Sequence, residues 1–368
     1  MLVMKRIIFI MFFFCSFCFS QSLLQQLEQE ITQLTSNAKD SVVRLRFCYT
    51  ANITDRMTSG VVLDNQGHIV TLERPVRNAT NIYAYTADMS KVPVKVIGAD
   101  RSTNLCILQI APAKLKPVVQ GNSEQLQVGS TVIAIGNPYG ILKNSIAMGL
   151  VSGLNRCVWS KESEFTLSGL IQTTTPINPG DDGGLVIDSQ GRFVGIVLGT
   201  FQRELIVESQ KRWFFTLSHM MQELHKNKAI NSKVFKQFEQ ISNELLSPKP
   251  ISQLISQDIS FIIPSKRIYW IADQLIEFGS VRRAWLGVTL DYKFINKAYI
   301  QEVAKQSPVF NILKKGDTII EVNGHTITDA ISLLEFMSYI KAGDTITIKY
   351  SRNNQVNTAT VKVKEMPQ

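Results

Sequence analysis

Histidine is scarce in this chain of 368 residues, occurring four times, at His68, His219, His225 and His325. So few imidazoles leave little choice of a general base that titrates near neutrality. Cysteine is scarce too: of five, Cys15 and Cys18 fall in an apolar N-terminal run, leaving Cys48, Cys106 and Cys157. An odd number without C-x-x-C spacing excludes a zinc site or a dense disulfide framework and leaves one disulfide or three free thiols open. No metal and no cofactor are expected. Lys and Arg outnumber Asp and Glu, 39 to 30, but they are scattered. Without a basic run or Arg/aromatic interleaving, nucleic acid is excluded as a partner, and the formal charge of +9 favours acidic partners or anionic lipid headgroups. No apolar run is long enough for an ordinary bilayer span, since residues 7–19 make a short one.

What is present suits a folded, secreted, two-domain protein. The basic start, the apolar run and the small positions Cys18 and Ser20 before Gln21 have the layout of a secretory signal peptide over 1–20, with an uncleaved membrane anchor as the alternative. Leu24, Leu27, Ile31 and Leu34 recur at helical spacing and predict an amphipathic helix within 21–40. From residue 41 the texture becomes short β-branched runs, at 42–47, 60–63, 68–71, 92–97, 106–110, 131–135, 149–154, 185–187 and 193–198. Asp64-Asn65-Gln66-Gly67 and Asp188-Ser189-Gln190-Gly191 supply turn chemistry inside hairpins. Many short strands at this spacing predict a mainly β barrel or sandwich over 41–200. Between residues 201 and 256 the period becomes helical, with stripes Trp213, Leu217, Met220, Leu224 and Val234, Phe238, Ile241, Leu245. This predicts a two-helix insertion that packs on the body or docks a partner. A last unit, 281–366, holds Trp285-Leu286-Gly287-Val288, the turn Asn323-Gly324, a helix near 331–340 and an alternating strand at 345–350.

These segments together resemble the HtrA/Deg family of serine proteases. The resemblance is carried by Ser59-Gly60-Val61-Val62 with Gly67-His68-Ile69-Val70-Thr71, by 100–105, by Ala134-Ile135-Gly136-Asn137-Pro138-Tyr139-Gly140, by Gly149-Leu150-Val151-Ser152, by Ile177-Asn178-Pro179-Gly180-Asp181-Asp182-Gly183-Gly184, by Phe261-Ile262-Ile263-Pro264-Ser265 and by Trp285-Leu286-Gly287-Val288. It implies a chymotrypsin-like double six-stranded β-barrel, completed by 257–278, followed by a C-terminal PDZ domain. It also implies a trimer or other homo-oligomer, or assembly with an active paralogue, and a periplasmic location.

The resemblance also locates the departures. The family's general-base histidine falls on Arg74, its orienting aspartate on Asn104 and its serine on Asp182, in the oxyanion loop Gly180, Asp181, Asp182. A guanidinium accepts no proton near neutrality, an amide does not stabilise an imidazolium, and a carboxylate is a poor nucleophile towards an amide and opposes oxyanion charge. The expectation is therefore a pseudoprotease, a chaperone, adaptor or regulator for peptides or unfolded proteins. The alternatives are an active HtrA-type endopeptidase and a scaffold that docks through the insertion. Rescue by one of the four histidines, or by aspartic chemistry at Asp181 and Asp182, is the lesser expectation. Arg74 and Asp182, facing across the old cleft, are expected to form an ion pair that locks it. In the PDZ unit, Trp285, Leu286, Gly287 and Val288 are expected to receive a peptide carboxylate, aided by Arg282 and Arg283, with residues 331–336 as the other groove wall.

Overall fold

The structure, a computed structural model, describes residues 22–50, 55–86, 90–111, 115–160, 165–201, 259–291 and 296–365. The expected signal segment and, but for its first residue, the expected insertion lie outside the described residues. No described helix is long and apolar enough to cross a membrane.

Helix α1 (Leu23–Ala38) opens on a capping box, in which Ser22 and Gln25 satisfy each other's backbone N–H groups. Ile31 and Leu34 pack on the barrel core, whereas Leu23, Leu24 and Leu27, one to two turns earlier, are exposed.

The first sheet holds β1 (Val42–Cys48), β2 (Arg56–Val62), β3 (His68–Leu72), β4 (Asn81–Tyr85), β5 (Lys91–Pro93), β6 (Lys95–Asp100) and β7 (Leu105–Gln109) in the order β5-β4-β1-β2-β3-β7-β6. Its end strands β5 and β6 are separated in the chain by Val94 alone, so the sheet must curl until its edges approach. Counted as one bent strand, 91–100 makes this a six-stranded unit. Strict alternation drives β1: Val43, Leu45 and Phe47 are buried, and Arg44 and Arg46 are less so. The β2–β3 turn closes on Asp64, whose Oδ1 accepts the N–H groups of Gln66 (2.9 Å) and His68 (3.2 Å).

The second unit is a closed six-stranded barrel of β8 (Thr131–Gly136), β9 (Ser145–Ser160), β10 (Phe165–Thr173), β11 (Leu185–Asp188), β12 (Phe193–Phe201) and β13 (Ile259–Pro264), in the order β10-β13-β12-β11-β8-β9. Asp188 repeats the turn device of Asp64, accepting the Gln190 and Arg192 N–H groups and the Arg192 guanidinium. Helix α2 (Ser265–Phe278) buries Ile268, Ile271, Ala272 and Leu275 in a core shared with both barrels and ends at Gly279 in the left-handed conformation.

The last unit pairs β14 (Ala284–Trp285) with β21 (Lys364–Glu365). Its main sheet, β15 (Val288–Leu290), β16 (Ala298–Val303), β17 (Thr318–Val322), β19 (Thr345–Arg352) and β20 (Gln355–Lys362), runs β15-β16-β17-β19-β20, with β18 (His325–Thr326) on β17. Helix α3 (Ala330–Met337) lays Ala330, Leu333 and Met337 on this sheet. The molecule is mainly β, as its alternating texture implies. Cys48, Cys106 and Cys157 are all free thiols.

Candidate functional site

The turn after β3, the turn before β7 and the loop before β11 meet where the two barrels touch. Asn104 holds the first of these to the second: its side-chain oxygen accepts the Arg74 N–H at 3.0 Å, and its carbonyl accepts the Glu73 N–H at 3.0 Å. Asn104 adopts φ 57°, a left-handed conformation that asparagine tolerates better than most residues. The loop before β11 is tied to the first barrel by Ser59 on β2, whose N–H donates to the Asp182 carbonyl at 2.9 Å and whose hydroxyl donates to the Gly180 carbonyl at 2.9 Å. Thr71 of β3 in turn donates its hydroxyl to the Ser59 carbonyl at 2.8 Å. Gly183 is required here. It has φ 76°, and a Cβ would lie 2.3 Å from the Ser59 carbonyl oxygen.

Two neighbouring carboxylates in this loop have different surroundings. Asp181 folds back on its own loop, with Oδ2 accepting the Asn178 N–H at 2.9 Å and Oδ1 close against Gly136. Burial raises its pKa above the ordinary range. Asp182 keeps some residue surface, yet its carboxyl turns inward towards Gly199 on β12. Burial pushes it up to about 6, Asp181 adds to the rise, and Arg56 and then Arg74 oppose it. Among the described residues the N–H groups of Gly180 and Asp182 donate no hydrogen bond, so the loop presents two backbone donors beside the Asp182 carboxyl.

Arg74, Asn104 and Asp182 thus lie around one junction, but the expected Arg74–Asp182 ion pair is not among those that the described residues form. Arg74 is exposed and the Asp182 carboxyl points inward, so the guanidinium acts on it through space. Arg56, at the exposed start of β2, acts more strongly. Sequence reasoning missed Arg56 and Ser59; only the motif Ser59-Gly60 carried a signal for the second, and nothing marked the first.

No described histidine reaches the junction with a function to offer. His68 Nδ1 lies 2.6 Å from Asp64 Oδ2 in the β2–β3 turn. His325 stacks on Phe336 with ring centroids 5.0 Å apart, on the other domain. His219 and His225 lie outside the described residues. The nearby thiol of Cys106 is buried and pushed up to about 12, far from a thiolate.

In the last unit, β15 is an end strand with one unpaired edge, and the N–H groups of Leu286 and Gly287 before it donate no hydrogen bond among the described residues. Gly287 has φ 75°, and a Cβ there would lie 2.2 Å from Ser307 Cβ. Leu286 is buried, Trp285 is half-buried and Val288 begins the edge strand opposite Val303. The loop therefore offers backbone donors rather than side chains. The two arginines assigned to it are elsewhere. Arg283 makes a paired contact with the buried carboxylate of Asp100 at 2.9 and 2.5 Å, and Arg282 lies over the Phe278 ring at 4.2 Å with its N–H on Gln274. Both belong to the junction with the first barrel and α2, Arg283 through the buried carboxylate of Asp100 and Arg282 through Phe278 and Gln274. On the opposite side of the groove, α3 leaves Ile331 and Leu334 exposed.

Residues 58–196 match the trypsin-like peptidase domain, and residues 275–363 match the PDZ domain. The chain is 28% identical over 329 residues to Protease Do-like 1, chloroplastic, of Arabidopsis thaliana, covering 84% of this chain and 64% of that protein. It is 30% identical over 332 residues to Serine protease Do-like HtrA of Bacillus subtilis, covering 83% and 63%. It is 27% identical over 321 residues to the probable periplasmic serine endoprotease DegP-like of Halomonas elongata, covering 84% and 56%. The chain therefore spans less than two thirds of these relatives. Among solved structures it resembles the HtrA-type protease AlgW with tripeptide, at TM-score 0.67 and 22% identity, covering 92% of this chain and 97% of that one. It also resembles the serine endoprotease from Yersinia pestis, at TM-score 0.60 and 20% identity, covering 91% and 98%. At such identity the likeness is one of fold.

Proposed function

Because this chain joins a trypsin-like peptidase domain to a PDZ domain in the HtrA/Deg arrangement, we propose that it is a catalytically inactive HtrA-type protein that binds peptides or unfolded chains. The observation that carries this reading is the group of side chains at the barrel junction. A serine-protease step needs a hydroxyl, a base to take its proton and a carboxylate to orient that base. Arg74 offers a guanidinium, which has no lone pair for a proton, Asn104 uses its amide oxygen on the Arg74 N–H, and Asp182 directs a carboxyl inward. Losing one nucleophile or base from such a unit costs about 10⁶-fold in turnover, and further losses add little.

Binding is supported by parts that do not depend on that chemistry. The open edge of β15 and the unbonded N–H groups of Leu286 and Gly287 suit an extended peptide that adds as a strand and places its C-terminal carboxylate on the loop. The relatives named as periplasmic support the same compartment for this protein, and HtrA-type likeness supports assembly into a homo-oligomer or with an active paralogue. A second reading, an active endopeptidase in protein quality control, is favoured by the relatives' names as proteases. Casein turnover by the full chain, compared with Asp182→Ala, separates the two. The inactive reading expects equal rates at background. A rate that Asp182→Ala abolishes would establish the endopeptidase instead.

A further inference from the structure

The two arginines beside the PDZ loop in sequence are engaged by other partners, so a charge for the loop must come from elsewhere in the fold. We propose that Lys364, on β21, supplies the positive field that draws a peptide's C-terminal carboxylate onto the N–H groups of Leu286 and Gly287. This rests on the peptide-binding reading of the loop and names the residue that makes it prefer a free C-terminus to an uncharged one.

Lys364 is tied to the loop from two sides. On one side it is the cross-strand partner of Trp285 in the β14–β21 pair. The side chains of directly opposed residues share one face of such a pair. The Trp285 ring reaches Gly287 on the loop, with Cζ2 3.1 Å from where a Cβ would lie. On the other side, the Lys364 ammonium donates to the Gln306 carbonyl at 3.3 Å. Gln306 precedes Ser307, whose Cβ would lie 2.2 Å from a Cβ on Gly287. The same segment is pinned to the loop by the Ala304 N–H, which donates to the Gly287 carbonyl at 2.8 Å. Gly287 thus touches both of the residues between which Lys364 is strung, Trp285 and Ser307.

The charge on Lys364 is also uncompensated. Among the described residues it joins no ion pair, and the acceptor it does have is a neutral carbonyl. Glu365, the next residue, pairs opposite Ala284 and so faces the other way, because successive strand residues alternate. Arg283, by contrast, is neutralised by Asp100, and Arg282 lies over the Phe278 ring. Two backbone donors alone accept a neutral carbonyl as well as a carboxylate. An ammonium beside them tips the preference to the anion, and salt weakens that preference. Lys305, one residue before Gln306 and exposed, is the competing cation.

The test is a titration of the ¹⁵N-labelled full chain with acetyl-Ala-Ala-Ala-Ala-Val, as free acid and as C-terminal amide, at low and at high salt. A valine end suits the apolar wall of Ile331 and Leu334, and the Leu286 and Gly287 amide resonances report binding at the loop. The native protein is expected to prefer the free acid, by a margin that shrinks with salt. Lys364→Gln, at an exposed position, should weaken the free acid about fivefold, leave the amide unchanged and flatten the salt dependence. Lys364→Arg should restore native affinity, and Lys305→Gln and Arg282→Gln should leave it in place. An equal loss for acid and amide in Lys364→Gln would mark a purely structural role and overturn the proposal. Native affinity in Lys364→Gln, or a loss carried by Lys305→Gln or Arg282→Gln instead, would overturn it too. The two readings fail differently. A native protein whose Leu286 and Gly287 amides respond to no free acid, whether it ends in Val, Leu or Phe, defeats peptide binding at the loop. A bound free acid indifferent to Lys364→Gln defeats only the assignment of Lys364.

Discussion

Asp182 illustrates how the surroundings of one carboxyl reach the stability of the whole molecule. Its carboxyl is ordinary in an unfolded chain and harder to ionise when folded, so the native state holds the proton more tightly between about pH 4 and pH 6. Stability contributed by this group falls as pH rises through that window and stays reduced above it. Asp182→Asn removes the penalty. The variant should be more stable than the native protein at pH 7.5, by on the order of 2–3 kcal/mol, and no more stable below pH 4; denaturant unfolding at the two pH values measures this. The same burial argument orders the thiols. Cys106 and Cys157 are raised to about 12 and about 11, so iodoacetamide at pH 8 should modify Cys48 first and Cys106 last, by peptide mapping. At this scale the sequence was most legible where a motif dictates backbone, as at Asp64, Asp188 and Gly183. It was least legible where a side chain's direction decides. Arg74 and Asp182 read as an ion pair from their positions, but the inward turn of one carboxyl towards a glycine on β12 separates them. Arg56 carried no pattern, since the β-branched run read there begins only at Gly60.

Among elements, short β-branched runs exposed β1 to β3, β5 to β9, β11, β12 and β19, whereas β4, β10, β16 and β20 carried no such run. Strand edges and partners were less visible. The break at Val94 that bends one strand into β5 and β6, and the pairing of β14 with β21, depend on contacts far apart in the chain. Arg282 and Arg283 were assigned to the PDZ loop by proximity in sequence, whereas the turn before β14 sends them to Phe278 and Asp100. The loop before β11 is the least forgiving element. A methyl at Gly183 would collide with the Ser59 carbonyl and force a left-handed φ on an L-residue, so Gly183→Ala should destabilise by about 2–4 kcal/mol. It should also disturb the Gly180 and Asp182 amide resonances, whereas the exposed Gly324→Ala, with a comparable φ but open space around it, should leave them in place.

Besides the apolar core that α2 shares with both barrels, polar clamps join units that the sequence showed only as adjacent. Arg283, at the entry to the PDZ domain, grips Asp100 of the first barrel, and Asp100 also accepts from Ser102 and Thr103. The carboxylate is nearly enclosed, at 8% exposure against 23% for its partner. Arg283→Met would leave it uncompensated, at a cost of about 3 kcal/mol. The expected signature is earlier cleavage near residue 280 in limited proteolysis, with peptide binding at the PDZ loop retained. Asp100 sits four residues before Asn104, whose oxygen holds the Arg74 N–H, so the clamp reaches the junction through one short turn.

The placement of β13 has a consequence for how such a chain comes into being. It enters the second barrel between β10 and β12, yet it is made only after residues 202–258. Until the ribosome passes residue 264, β10 and β12 each expose a bare ladder of amide groups, and a nascent chain halted before then would offer two sticky seams to its neighbours. Closing so long a detour adds little entropy beyond a shorter one. What the detour imposes is delay, and with it a dependence on whatever shields unfinished sheets.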